Sequence, residues 1–301
     1  MANSIEVILN PRSGAQRGAE VAELLAGVLR ESGRSFRISV AKASDIKELA
    51  EERAATQCNV LVAGGGDGTV CAVGQAALKY GTALGVIPLG TFNYFAKNIG
   101  IPLEVEQAAR VLVEGKLLPA PVLDLDGRLI LNSASIGIHP AALLKRRKLY
   151  RVWGRSQLNA YLSVLWTAFQ PPPRFRVRLR TDAGEVVRET PMLTICSNAF
   201  QMQTFGLAGT ECLASGKFAL YVARMAGRAT TFRLGLRVLF RRLRLGQDYE
   251  AICASEATIE TLRRHHVRVA LDGELGSHES PMRFRLAPQE LMVLAPRERA
   301  S

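Results

Sequence analysis

The chain has 301 residues, 48% of them hydrophobic and 22% charged, and 39 Lys and Arg against 27 Asp and Glu leave a formal net charge of +12. That length buries a proper core as one large or two modest domains, and the charged fraction is ordinary for a folded soluble protein. No uncharged apolar run reaches the roughly 18 residues of a membrane-spanning helix, and Glu6 with Asn10-Pro11-Arg12 breaks the first apolar run, against a signal peptide; a cytoplasmic protein is expected.

Residues 5–9 (IEVIL) read as a short buried strand that runs into the turn-rich Asn10 to Gly14. Val21, Leu24, Leu25, Val28 and Leu29 then recur at helical spacing. Residues 36–40 form a second strand, 45–55 a helix opened by Asp45, and 59–63 (NVLVA) a third strand. Gly64-Gly65-Gly66-Asp67-Gly68-Thr69 follows at once, and 70–78 is apolar and helical in length. A strand over 83–87 leads to Pro88-Leu89-Gly90-Thr91-Phe92-Asn93, and a helix over 105–114 closes the unit. Strands alternating with helices through short loops predict a doubly wound parallel α/β domain.

After about residue 120 the rhythm changes. Strands are predicted over 122–131, 175–180, 186–188, 192–197, 218–223, 250–260, 267–271 and 284–286. Alternation is clearest in Arg174 to Arg180, with one face charged and the other apolar. This half reads as a mainly antiparallel β domain.

The glycine loop carries the strongest chemical signal. Glycines let backbone N–H groups approach phosphate oxygens, and the helix start that follows favours negative charge. Gly64, Gly65, Gly66 and Gly68 are therefore nucleotide-binding candidates, with Thr69 as a helix cap or a hydroxyl donor. Asp67 would repel a phosphate, so its sensible role is to hold the Mg²⁺ that neutralises one. A structural turn without ligand is the alternative, and against it stands the stability cost of three glycines and an acid after a buried strand. Asn10, Ser13 and Gly14 after the first strand, and Thr91 and Asn93 after the fourth, fall at the same sheet edge, where open α/β sheets bind ligands.

The positive charge is unevenly spread. Residues 127–181 and 212–247 contain no Asp or Glu but are rich in Arg, including Arg174 to Arg180 and Arg224 to Arg244. Such fields attract a nucleotide, an anionic bilayer or nucleic acid; a well-solvated surface is the bland alternative. Phe232, Leu236, Leu239, Phe240 and Leu243 share one helical face and Arg233, Arg237, Arg241 and Arg244 fall mostly on another, a basic amphipathic pattern suited to a membrane surface or to packing on the β domain. Stacking aromatics are sparse beyond Tyr150 and Trp153, so nucleic acid is not expected. The five cysteines, Cys58, Cys71, Cys196, Cys212 and Cys253, show no CxxC pairing, and reduced thiols are expected. His139, His265, His266 and His278 have no ligand spacing and read as structural or surface residues.

NPRSG at 10–14, GGGDGT at 64–69, PLGTFNYFAKNIGIP at 88–102, LNSASIGIHP at 131–140 and LDGE at 271–274 together resemble the diacylglycerol kinase catalytic-domain family, which includes bacterial lipid kinases and sphingosine kinases. GGGDGT alone is shared with NAD kinases and phosphofructokinase-like enzymes; the combination is more specific. The resemblance implies a nucleotide-binding α/β domain over 1–122, completed by a returning segment 288–301, and a β-sandwich-like lipid-substrate domain over 123–287. It implies ATP and Mg²⁺, a lipid substrate met at the inner membrane face, an active site between the domains, and Asp272 or Glu274 as acceptor of the lipid hydroxyl proton. Read without the resemblance, Asp-Gly-Glu is also a plausible hairpin turn.

The sequence also departs from the family. Cys71 and Ala72 stand where relatives often carry Asn-Glu, and Ala41 and Ala43 where many have a threonine. Before the strand at 218–223, Ala214-Ser215-Gly216-Lys217-Phe218-Ala219 replaces an acidic pattern, so no structural Mg²⁺ is expected at Ser215 and Ala219. Three functions remain in competition: a lipid kinase, a degenerate nucleotide-gated membrane-binding protein, and a NAD-kinase-like enzyme.

Overall fold

The computed structural model describes residues 4–11, 18–141, 143–144, 174–224, 237, 243–287 and 289–297. The chain forms two compact units, Met1–Val122 with Ala287–Ser301, and Leu123–Leu286.

The first unit is built on β1 (Ser4–Leu9), β2 (Ser35–Val40), β3 (Val60–Gly65), β4 (Ala83–Pro88), β5 (Lys116–Ala120) and β18 (Leu291–Ala295). Their order is β2-β1-β3-β4-β18-β5. The first four strands and the β4–β18 contact are parallel, and only β5 runs antiparallel, against β18. Every residue of β3 and β4 is buried, which is why these strands read as continuous apolar runs with no alternation. Helices α1 (Gly18–Glu31), α2 (Ile46–Ala55), α3 (Asp67–Tyr80), α4 (Tyr94–Asn98) and α5 (Val105–Glu114) cover the sheet, α1 packing with α5 and α2 with α3. The C-terminal carbonyls of α5 are met by arginines: Arg34 donates to Leu112 O and Val113 O at 3.1 and 3.2 Å, and Arg297 to Glu114 O at 2.8 Å.

The second unit is a β-sandwich. One sheet has the order β10-β9-β14-β17-β6-β7, formed by β6 (Leu123–Leu125), β7 (Arg128–Ile130), β9 (Phe175–Thr181), β10 (Gly184–Thr190), β14 (Glu256–Thr261) and β17 (Met282–Leu286). The other has the order β13-β12-β11-β8-β15-β16, from β8 (Ser133–Gly137), β11 (Met192–Cys196), β12 (Phe218–Ala223), β13 (Tyr249–Ala254), β15 (His266–Leu271) and β16 (Glu274–Glu279). Leu123, Val177, Leu179 and Phe284 from the first and Ile136, Ile195, Leu220 and Val269 from the second close one core.

Two predicted strands divide. The 122–131 strand breaks at Asp126-Gly127, both at positive φ (48° and 88°), as a two-residue hairpin requires. The 250–260 strand breaks at Ser255, and its halves β13 and β14 join different sheets. Strands β5, β8 and β16 were not legible: β16 is mostly polar with no fully buried residue, and β8 is rich in small residues.

Arg178 and Arg180 of β9 are not a free positive field. Arg178 pairs with Glu260 at 2.8 Å and Glu185 at 3.2 Å, Arg180 with Glu185 at 2.8 Å, and on β17 Arg285 pairs with Asp124 at 2.9 Å. Neighbouring strands thus present alternating acidic and basic columns, each pair contributing about 0–1 kcal/mol at such exposure. Of the basic amphipathic pattern only Arg237, Leu243 and Arg244 are described; the rest lies outside the described residues. Arg237 pairs with the buried Asp248.

The cysteine expectation is corrected for one pair. Helices α6 (Ala199–Phe205) and α7 (Thr210–Ala214) pack with β12 and β13 around Cys196, Met202, Tyr221 and Tyr249, and Cys212 and Cys253 form a disulfide. They are 41 residues apart in sequence, so no local spacing could show the pairing. Cys58, Cys71 and Cys196 take part in no disulfide.

Candidate functional site

In the first unit three loops meet at the C-terminal edge of the parallel strands. After β1, the Asn10 amide donates to Gly64 O at 2.8 Å, and its buried side chain donates to the Thr69 hydroxyl at 3.3 Å. Ser13 and Gly14 lie outside the described residues. After β3, Gly66 caps α3 in an extended conformation without a side-chain cap, so the first N–H groups of a 14-residue helix have no carbonyl of their own helix to bond. After β4, Leu89 N donates to Gly65 O at 2.9 Å, which ties the third loop to the second.

The glycines have a packing reason that the sequence did not show. A Cβ on Gly64 would overlap the Leu9 side chain, and one on Gly65 would overlap Thr69. A Cβ on Gly66 would come within 3.2 Å of Gly90 Cα, and one on Gly90 within 2.7 Å of Asn93 Oδ1. Loop-to-loop packing therefore accounts for much of the glycine content, and the stability argument against a ligand-free turn loses force. The same close approach lays bare backbone where a phosphate would be held.

Asp67 and Asn93 also have partners within the fold. The Asp67 carboxylate accepts from Phe95 N at 3.1 Å, at the start of α4. Burial pushes this carboxyl up from its ordinary value, while the amides of Phe95, Tyr94 and Asn93 pull it back. Asn93 is buried with a left-handed φ of 52°, and its side chain both accepts from Gly90 N and donates to Gly90 O, each at 2.9 Å. Its carboxamide shapes the loop; Thr91 beside it is exposed. For a divalent cation the donor set is Asp67 alone, and no group of three His, Cys, Asp or Glu side chains converges among the described residues. Mg²⁺ fits here only as the companion of a nucleotide, completing its shell with phosphate oxygens and water.

In the second unit Asp272 and Gly273 form the two-residue turn between β15 and β16, with φ of 47° and 81°. The Asp272 carboxylate accepts from Leu131 N at 2.8 Å, Asn132 N at 2.7 Å and Ser133 N at 3.1 Å, while Asp272 N donates to Ser133 O at 2.9 Å. The segments LNSASIG and LDGE, far apart in the sequence, are one structure joined through this side chain. Glu274 is exposed, 3.7 Å from Arg128. Behind the turn, Asn132 and Asn198 are buried and bonded to each other, and the Ser197 hydroxyl beside them is buried with no partner among the described residues. Sequence reading passed over all three, although Ser-Asn after a buried strand is a helix-start signature. Ser135 bonds His139 Nδ1 at 2.6 Å, and His278 lies 3.8 Å from Asp126, so these histidines have partners within the fold.

Ser215 and Ala219 flank a different arrangement. The Ser215 hydroxyl donates to Cys212 O, Ala219 is buried in β12, and the Lys217 ammonium holds Asp182 at 2.8 Å. This hydrogen bond, opposed by burial and aided by two bonds from Ser255, holds the Asp182 carboxyl below its ordinary value.

A doubly wound parallel sheet with a glycine turn opening a helix, followed by an antiparallel β-sandwich, defines the class: α/β proteins of the diacylglycerol kinase fold. A crystal structure of a diacylglycerol kinase from Bacillus anthracis superposes with a TM-score of 0.72 at 17% identity, over 98% of this chain and 97% of that one. Residues 4–125 match the diacylglycerol kinase catalytic domain. A probable lipid kinase, YegS-like, from Pseudomonas aeruginosa is 39% identical over 127 residues, 41% of this chain; the match spans only 42% of that relative's length. The diacylglycerol kinase of Bacillus subtilis is 28% identical over 306 residues, covering 98% of this chain and 97% of that protein.

Proposed function

We propose that the protein is an ATP-dependent lipid kinase that transfers the γ-phosphate to a diacylglycerol-like or sphingoid-like hydroxyl, acting peripherally at the inner membrane face. The observation that carries this reading is the convergence of Asn10, the Gly64–Gly66 turn opening α3 and the Gly90–Asn93 loop on one sheet edge, within residues 4–125 of the family match. The names of the relatives from Pseudomonas and Bacillus point the same way. Among the described residues no helix is long and apolar enough to cross a membrane.

Backbone amides at the α3 start would hold the phosphates. Mg²⁺, when bound with the nucleotide beside Asp67, would spread the phosphate charge. The lipid oxygen forms a bond to the γ-phosphorus as the bond from that phosphorus to the β–γ bridging oxygen breaks, ADP leaves, and the hydroxyl proton passes to a carboxylate of the Asp272–Gly273–Glu274 turn. Asp272 is the better oriented of the two, held by three amides, and Glu274 the more open. Orientation of this kind lowers a barrier by prior ordering of the reacting groups.

The test is transfer of label from γ-labelled ATP to vesicles carrying diacylglycerol, a sphingoid base or phosphatidylglycerol. One lipid should accept label, and loss of the proton-accepting carboxylate (Asp272→Asn or Glu274→Gln) should slow transfer about 10²-fold or more. No transfer to any of the three, with wild type equal to Asp67→Ala, would end this reading. A second reading, nucleotide binding without turnover, is favoured by the engagement of Asp67 with the α4 start. It predicts ATP-dependent vesicle binding in the absence of labelled lipid.

A further inference from the structure

The Asp272 turn is held by a side-chain pair that begins on another element. Asn198 is fully buried at the N-terminus of α6, where its Oδ1 accepts from Gln201 N at 2.7 Å. Because Gln201 N can only donate, the orientation of the Asn198 amide is determined by chemistry, and its NH₂ faces Asn132. That group donates to Asn132 Oδ1 at 2.6 Å, and Asn132 is itself only 3% exposed. Ser197 N donates to Asn132 O at 3.1 Å, so Asn132 is gripped at both its side chain and its carbonyl. The remaining backbone group, Asn132 N–H, points to Asp272 Oδ1 at 2.7 Å, flanked by the amides of Leu131 and Ser133 on the same carboxylate.

A continuous hydrogen-bonded chain therefore runs from Gln201 N through Asn198 and Asn132 to Asp272. An apolar pair of similar volume would fill the same space; a buried amide pair bonded to each other and to the α6 start instead restricts the arrangement of the strand head. We propose that Asn198, acting through Asn132, is a positioning residue for the Asp272–Gly273–Glu274 turn. It sets where the carboxylate stands without touching the reacting atoms. The role in turnover rests on the kinase reading; the coupling of Asn198 to Asp272 does not.

Asn198→Ser tests this because serine keeps an oxygen to cap α6 while removing the donor to Asn132. The reporters are the backbone ¹H–¹⁵N resonances of Leu131 and Ser133 in the full chain, with Asp272→Asn showing how they respond to loss of the carboxylate. In Asn198→Ser both resonances should move toward their Asp272→Asn positions with the cooperative thermal transition retained. With ATP and diacylglycerol vesicles, kcat should fall about tenfold or more while the KM for ATP stays near wild type, since only placement is lost. Asn132→Ser cuts the same bond from the other side with the cap untouched, and should give the same split even if Asn198→Ser does not fold. Resonances of Leu131 and Ser133 that stay in place in a folded variant overturn the proposal, as does wild-type kcat in both variants of an active enzyme. If the resonances move but the wild-type protein phosphorylates no lipid, the kinase reading has failed and the positioning stands.

Discussion

At the scale of single residues, the main finding is that the acids proposed for chemistry also hold the fold. Asp67 is a partly buried carboxylate facing the start of α4, and Asp272 closes the strand head at 131–133. Burial raises the Asp67 carboxyl above its unfolded value, so its ionisation opposes folding: the protonated form contributes stability at acid pH, and this is lost as pH rises through the folded value. Asp67→Asn should therefore gain stability relative to wild type as pH is raised from 4 to 7. Urea midpoints at the two pH values measure this, and an equal difference at both would contradict it. Burial likewise pushes the Cys196 thiol up to about 12, whereas Cys71 is only half-buried. At pH 8 iodoacetamide should label Cys71 and spare Cys196 in the folded protein, as intact mass and peptide mapping will show.

At the scale of elements, the disulfide and the charged ladder change what the sequence suggested. Cys212–Cys253 joins α7 to β13, and closing a 41-residue separation should contribute about 2–4 kcal/mol. Cys253→Ser should lower the unfolding free energy obtained from urea titration by that amount under oxidising conditions and leave it unchanged under reducing ones. A difference that persists with reductant would show that side-chain packing, not the bond, was lost. On the sandwich face, Arg178 and Arg180 are compensated by Glu185 and Glu260. Their charge was read from the chain as part of an acid-free run, because the opposing acids belong to other strands.

At the scale of the whole chain, β18 completes the first sheet from the far end of the sequence, between β4 and β5. Removing residues from 287 onward would expose the apolar edge of β4 and leave β5 without its partner. The truncated chain should lose hydrogen-exchange protection in β3 and β4 as well as nucleotide binding. Retained protection in β3 and β4 would mean that the parallel sheet is stable without its returning strand.

Read alone, the sequence determined the parallel unit and its glycine turn. Strands buried on both faces appear as unbroken apolar runs, and glycine beside a helix start is a local signal; the alternation of β9 was legible for the same reason. Only the tertiary structure decided that Asp67 meets Phe95 across 28 positions, that Asp272 meets Asn132 across 140, and that Cys212 meets Cys253. Periodicity records which face of an element is buried. It carries no information on which distant backbone or side chain completes a buried polar group, because that partner is chosen by how the strands and loops pack.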